Sequence, residues 1–246
     1  MTSETGLEAR VQSTHPRESG VIEITGSNIA GDVIWPLPAS KSHIIRWLML
    51  ASQSQSHIEI CHQGEIGEDV KSVVSSLNKI GAKIQMTDGK IRTGVSDFGF
   101  PTHTTEELNL GNSGTGLRML MSLCSSLSQE TLITGDLSLR SRPFNILSDA
   151  LSAIGCYCKR SNDGSLRISG PANSGVIELD LSEGSQPLSA LLMASPSMNV
   201  ELTVRILGKP VSKGYLDLSY KIAGLTGSGN KFSENSDDDS DSEKIN

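Results

Sequence analysis

The sequence predicts an α/β fold built from three copies of a βαβαββ-type unit, with the last copy incomplete. Three observations predict it. Three apolar helical stretches line up as SHIIRWLMLASQSQSHIEI from Ser42, TGLRMLMSLCSSLSQETLITG from Thr115 and QPLSALLMASPSMNVELTVRI from Gln186. Arg46, Arg118 and Ser189 hold equivalent places, 72 and 71 residues apart, and a period of that size marks a repeated supersecondary unit. In the first two copies a second helix then leads into an Asp-Gly hairpin, as a strand–helix–strand–helix–hairpin unit requires.

The chain of 246 residues has room for a sizeable core. Residues 1–19 are polar and without a sustained period, so they are expected to form a disordered extension. Val21 to Thr25 reads as a first strand. The first helix of each unit opens on small or polar residues, continues as an apolar stretch and passes into an alternating β-branched strand. The second helices lie in DVKSVVSSLNKIGAKI, NILSDALSAIGCYC and DLSYKIAGLTG. Their expected ends are Ile80-Gly81, Ile154-Gly155 and Ala223-Gly224, where glycine provides the left-handed cap. Asp88-Gly89 and Asp163-Gly164 favour two-residue hairpin turns. From 227 to 246 the chain is Gly/Ser-rich and acidic, and too poor in apolar groups to offset its ordering entropy. The expected domain is therefore 20–226, between two disordered ends.

Charge and composition exclude several functions. The net charge is −7, and six acids against two lysines from 230 to 246 account for −4 of it. The mildly acidic body has no basic stripe, which argues against nucleic-acid binding. No apolar run is long enough to span a bilayer, and the polar opening MTSETGLEAR is not a secretory signal. A cytoplasmic location is the expectation. Cys61, Cys124, Cys156 and Cys158 lack paired zinc spacing and read as buried free thiols.

The chemistry concentrates at the starts of the first helices. In Leu37-Pro-Ala-Ser-Lys41-Ser42-His-Ile-Ile-Arg46, Ser40 or Ser42 can cap the helix. Lys41 brings a cation to the helix start, and Arg46 lies one turn beyond Ser42 on the same face. Cation, hydroxyl and free backbone N–H groups together suit a phosphate or carboxylate, although an ordinary capped helix would also look like this. In Leu110-Gly-Asn112-Ser-Gly114-Thr115-Gly-Leu-Arg118 small residues allow close approach to the backbone, but the ending of a nucleotide phosphate loop is missing. Gly184-Ser185-Gln186-Pro187 puts Pro187 at a helix start and offers the donor and acceptor of Gln186.

Two further clusters stand at strand–helix junctions. Arg140 and Arg142 point the same way if their segment is extended, and Arg142 before Pro143 favours that geometry. Ser212 and Tyr215 in Val211-Ser-Lys213-Gly-Tyr-Leu-Asp217 offer hydroxyls to a sugar-like ring. Three-fold repetition should gather the helix N-termini with Lys41, Arg46 and Arg118, giving a cleft for a small, multiply anionic ligand.

PASKSHIIR, LGNSGTGLR, TGDLSLRSRP, SQPLSALLM and VSKGYLDL, in this order over about residues 20–226, resemble the enolpyruvyl transferase family. The match is to its branch acting on shikimate 3-phosphate, through the signatures P-x-SKS-x-x-x-R, L-GN-[AS]-GT-x-x-R, TGD-x-SLR-x-RP, SSQ-x-x-SALLM and SKPYIDI. The branch acting on UDP-N-acetylglucosamine is a weaker match, since it has Lys-Asn where Lys41-Ser42 stands and lacks GNSGT.

The resemblance implies an inside-out α/β barrel domain, with helices inside and sheets outside. It also implies enolpyruvyl transfer from phosphoenolpyruvate to the 5-hydroxyl of shikimate 3-phosphate, within aromatic amino-acid biosynthesis. Lys41, Ser42, Arg46, Ser185, Gln186, Ser212 and Tyr215 would then meet shikimate 3-phosphate. Lys41, Gly114, Arg142 and Gln186 would meet phosphoenolpyruvate. No metal, organic cofactor, nucleic acid or membrane is implied.

Three departures from the family pattern bear on function. Gly184 replaces the first Ser of SSQ and so removes a phosphate-binding hydroxyl, and Met119 stands where Pro is common. The family's second domain, with its acid/base Asp, Lys–Glu pair and further arginines, does not occur in these residues. Lys41 is thus the one catalytic candidate. The expectation is a chain that is inactive alone and works with a second chain supplying the other domain. The alternatives are a non-catalytic binding module for shikimate 3-phosphate and a scaffold whose acidic tail recruits a partner.

Overall fold

The structure, a computed structural model, describes residues 37–95, 107–225 and the backbone of 242–245. The chain divides into two units, Met1–Trp35 and Pro36–Asn246, and every described residue belongs to the second. The strand expected at 21–25 and the extension expected over 1–19 lie outside the described residues.

The first set of elements is α1 (Lys41–Ala51), β1 (Ile58–Cys61), α2 (Glu68–Lys79), β2 (Ile84–Thr87) and β3 (Lys90–Thr93). Along α2, Val70, Val73, Val74 and Leu77 recur at helical spacing and are buried, the signature of a helix laid on a core. Gly81 takes a φ of +101° just past its end, as a left-handed cap should. β1, β3 and β2 form an antiparallel sheet in that order, and Asp88-Gly89 is a two-residue turn with Gly89 at φ +70°.

Next come β4 (Leu108–Asn109), α3 (Gly114–Cys124), β5 (Thr131–Thr134), α4 (Leu137–Ser141), α5 (Asn145–Ala153), β6 (Tyr157–Arg160) and β7 (Leu166–Ser169). The sheet order is β4-β5-β7-β6, parallel only between β4 and β5. The third set is β8 (Gly175–Asp180), α6 (Gln186–Met198), β9 (Leu202–Leu207), α7 (Lys213–Leu225) and β10 (Ser242–Ile245). β8 runs parallel to β9 over six residue pairs, and β10 lies antiparallel on the other edge of β9.

Apolar content decides where each helix sits. Nine of the eleven residues of α3 and nine of the thirteen of α6 are buried, so neither helix keeps a solvent face. A helix that is buried all round belongs to a core. α3 packs on α6, and α1 touches α3, α6 and α7. The strands alternate instead: in β7, Leu166 and Ile168 are buried while Arg167 is exposed. On the exposed strand faces Glu59 pairs with Lys90 and Arg92, Glu130 with Arg167, and Glu178 with Arg205. Pairs this exposed are screened by solvent and contribute little, so the core and not the surface charge holds the fold.

Several expectations fail locally. Residues 137–141 are helical, so Arg140 and Arg142 do not point the same way: Arg140 turns to the Asp163 carboxylate. Asp136 drives this by accepting the Leu139 N–H as an N-cap, starting a helix in place of the extended segment. The second hairpin is joined by residues 161–165 rather than by two, because Asp163 Oδ1 accepts from both the N–H and the hydroxyl of Ser165. That side-chain turn competes with the tighter one. Gly224 lies inside α7, which continues to Leu225.

Ser40 is the N-cap of α1, yet its hydroxyl pairs with His43 Nδ1 and caps nothing. All four cysteines are free, but Cys61 is exposed where burial was expected, on a face of β1 turned to solvent. Burial raises the Cys124 and Cys158 thiols to about 12, so both stay protonated. Residues 226–241 and 246 of the acidic tail lie outside the described residues, while 242–245 form β10, giving partners to the edge of β9.

Candidate functional site

The starts of α1, α3 and α6 meet at two neighbouring clefts. The smaller, of about 490 Å³, is lined by Lys41, Gly114, Arg142 and Gln186, together with Asp69, Asn112, Thr115 and Arg118. The larger, of about 870 Å³, is lined by Lys41, Ser42, Arg46, Ser185, Gln186, Ser212 and Tyr215. It is also lined by Pro143 to Leu147 and by Asp180, Glu183 and Gly184. Lys41, Thr115, Arg118 and Gln186 line both clefts. The residues the sequence grouped into two sets are therefore brought together as two adjoining sets sharing one wall.

Each wall residue is held by a local feature. Lys41 opens α1, and its Nζ lies 2.8 Å from Asp69 Oδ2 in the first turn of α2. Arg46 sits one turn further along α1 and is 2 % exposed. Its Nε donates to Ser219 Oγ at 2.7 Å and its Nη1 to Ser42 O at 3.0 Å. Nη2 donates to Ser189 Oγ and to Tyr215 O. The guanidinium also lies 5.8 Å from the centre of the Tyr215 ring, within cation–π range. Burial pulls its pKa below the usual arginine value, partly opposed by Tyr215. No carboxylate pairs with it among the described residues, so it stands as uncompensated positive charge.

Arg118, one turn into α3, donates to Gly114 O at 3.1 Å and Pro143 O at 2.9 Å. Burial, and then the nearby charge of Arg142, lower its pKa. A cation crowded by burial and by a second cation in one cleft is poised for an anion. Arg142 adopts the extended conformation expected before a proline, φ −71° and ψ 143°, and donates to Asn112 Oδ1. Gly114 makes room for it: a Cβ there would lie 2.6 Å from Arg142 Nη1. Ser113 caps α3 by accepting the Gly116 N–H, while Gly114 and Thr115 face the cleft.

At α6, Ser185 is the N-cap residue and Pro187 lies in the first turn, where a missing N–H leaves no intrahelical bond unmade. The Ser185 hydroxyl donates to Ser212 O at 3.4 Å, so it is already shared with the junction that carries Ser212 and Tyr215. Gln186 Oε1 is buried without a hydrogen-bond partner. It is one of six such atoms among the described residues, and the one carried by a residue that lines both clefts.

Sequence reasoning missed Asp69, Asn112 as a side-chain partner, Asp180 and Glu183. Glu68-Asp69 carries only the signal of an acidic helix start, which countless helices share. Arg140, expected to point the same way as Arg142, lines neither cleft. Among the described residues no three His, Cys, Asp or Glu side chains converge as a metal site, and no described helix is long and apolar enough to cross a membrane.

Comparison with known proteins gives the family and the fold. The family described as EPSP synthase (3-phosphoshikimate 1-carboxyvinyltransferase) matches residues 24–227. A 3-phosphoshikimate 1-carboxyvinyltransferase from Vibrio cholerae serotype O1 (strain M66-2) is 32 % identical over 200 residues, covering 79 % of this chain and 46 % of the relative. One from Escherichia coli O1:K1 / APEC is 31 % identical over 191 residues, covering 76 % and 44 %. The chain thus spans about half the length of the curated relatives it matches. Among solved structures, EPSP synthase from Acinetobacter baumannii superposes with a TM-score of 0.67 at 22 % identity, over 86 % of this chain and 46 % of that one. The enolpyruvyl transferase NikO from Streptomyces tendae gives 0.55 at 15 %, over 85 % and 47 %. These two likenesses establish the fold.

Proposed function

The chain belongs to the EPSP synthase family, and on that premise we propose that its clefts form one half of a site transferring enolpyruvyl from phosphoenolpyruvate to the 5-hydroxyl of shikimate 3-phosphate. The larger cleft takes shikimate 3-phosphate, through Lys41, Ser42, Arg46, Ser185, Gln186, Ser212 and Tyr215. The smaller takes phosphoenolpyruvate, through Lys41, Gly114, Arg142 and Gln186. The observation that carries this reading is the shared wall, where Lys41, Thr115, Arg118 and Gln186 line both clefts. A transfer between two substrates needs their reacting atoms within bonding reach, and a common wall supplies that proximity.

The chemistry also shows what these residues leave to others. Transfer forms a bond from the acceptor hydroxyl to C2 of the enolpyruvyl unit and breaks the bond from C2 to phosphate oxygen. Lys41, Arg118 and Arg142 suit the phosphate that departs. The hydroxyl proton needs an acceptor within hydrogen-bond reach, and Asp69, the carboxylate of the smaller cleft, is already engaged by Lys41. The family resemblance, rather than an exclusion of Asp180 and Glu183 on the larger cleft, leads us to assign acid–base groups to the half of the family's length that these residues do not span, supplied by a further domain or a second chain. The three helix–sheet sets are, in this reading, copies of one βαβαββ unit wrapped with α1, α3 and α6 inside.

Calorimetric titration of the 246-residue protein with shikimate 3-phosphate tests the proposal. Binding is expected, and Lys41→Ala weakens it about tenfold, the scale of one charged hydrogen bond. Mixing both substrates with the pure 246-residue protein should release no phosphate. Absence of binding heat would reject the substrate assignment, and turnover would reject the division of labour.

A further inference from the structure

We propose that Asp69 is a positioning residue that holds the Lys41 ammonium on the shared wall. The inference rests on the functional reading above and deepens it. Lys41 and Asp69 lie 28 residues apart and meet because α1 packs against α2. The carboxylate side chain is 26 % exposed and the lysine side chain 53 %, so the acid is the recessed, fixed partner and the flexible arm leans on it. Asp69 is itself favoured where it stands, in the first turn of α2 near the positive end of the helix.

The lysine needs this hold. Its four-carbon stem has many rotamers, and the other cations on its cleft, Arg118 and Arg142, repel it toward solvent. One of its three N–H groups goes to Asp69, leaving two for ligands in the two clefts that it lines. A carboxylate inside an anion cleft opposes ligand binding by its charge alone. Charge and position therefore make opposite forecasts. If charge dominated, removing Asp69 would tighten anion binding; if position dominates, removal loosens it.

The test is titration of shikimate 3-phosphate into wild type, Asp69→Ala, Asp69→Asn, Lys41→Ala and the Lys41→Ala/Asp69→Ala double variant, with a thermal melt of each. Asp69→Ala should weaken binding about fivefold, the scale of one partly exposed ion pair. Asp69→Asn, which keeps an acceptor oxygen, should lose less than half of that effect. In the Lys41→Ala background Asp69→Ala should cause no further loss and, by relieving the bare charge, tighten binding slightly, a coupling that a merely structural role would not produce. If Asp69→Ala does not fold, Asp69→Ser keeps a good helix-start residue with an oxygen too short to hold Nζ, and carries the same expectation. Equal or tighter binding by Asp69→Ala, or additive losses in the double variant, overturns the proposal while leaving the functional reading intact. Wild type that binds nothing overturns both.

Discussion

Arg46 and Arg142 are both motif arginines on a cleft wall, yet they are held in opposite ways. Arg46 rises from the middle of α1 and is bonded to Ser42 O, Ser189 Oγ, Ser219 Oγ and Tyr215 O. It ties α1 to α6 and α7. Arg142 stands in the extended residue after α4, bonded to the Asn112 side chain across the smaller cleft. The same residue type therefore serves the fold and the ligand together at one place, and chiefly the ligand at the other. The difference comes from position: a guanidinium in a helix interior must satisfy its N–H groups within the core, whereas one on a loop keeps them for a guest.

The largest expected effect separates these roles. Arg46→Ala removes the hydrogen bonds that tie α1 to α6 and α7, although Ser219 Oγ still reaches Ser189 Oγ and Tyr215 O, and should cost about 3 kcal/mol of stability, at about 1 kcal/mol per lost buried hydrogen bond. Urea denaturation of the unliganded protein measures it, and a loss below about 0.5 kcal/mol would erase the contrast. Arg142→Ala should leave that denaturation curve in place. Its effect is expected in phosphoenolpyruvate affinity, measured by calorimetry with shikimate 3-phosphate present, as a fall of about tenfold for one charge-assisted contact. The smallest effect sharpens the contrast without touching either arginine. Gly114→Ala places a Cβ 2.6 Å from Arg142 Nη1, and the free end of that side chain gives way. Phosphoenolpyruvate affinity should fall about threefold with stability steady, since Gly114 is the first residue of α3 and the helix gains little from a Cβ there. A large drop in melting temperature would show that Arg142 is as rigidly embedded as Arg46.

Much of the architecture is legible along the chain because it is local. The spacing of Val70, Val73, Val74 and Leu77 specifies the buried face of α2, and Asp88-Gly89 specifies its hairpin. The misreadings also have local causes that propensity hides. The Asp136 cap turned 137–141 into a helix, and Asp163 lengthened the second hairpin turn. In both cases a side-chain acceptor outcompeted the default backbone pattern. The site residues were legible for another reason: they sit at helix starts, where sequence periodicity changes and can be seen.

By itself the sequence determined which helices would be buried, where their starts would fall and which cations would stand there, because helical period and cap chemistry act within a few residues. Only the tertiary structure decided that those starts share one wall, that Arg46 is tied to Ser189 and Ser219, that Gln186 Oε1 is left bare and that Asp69 reaches Lys41. Those partners lie tens to more than a hundred residues apart. Close packing of helices selects such pairs from all that the chain could make, and no local rule encodes which will meet.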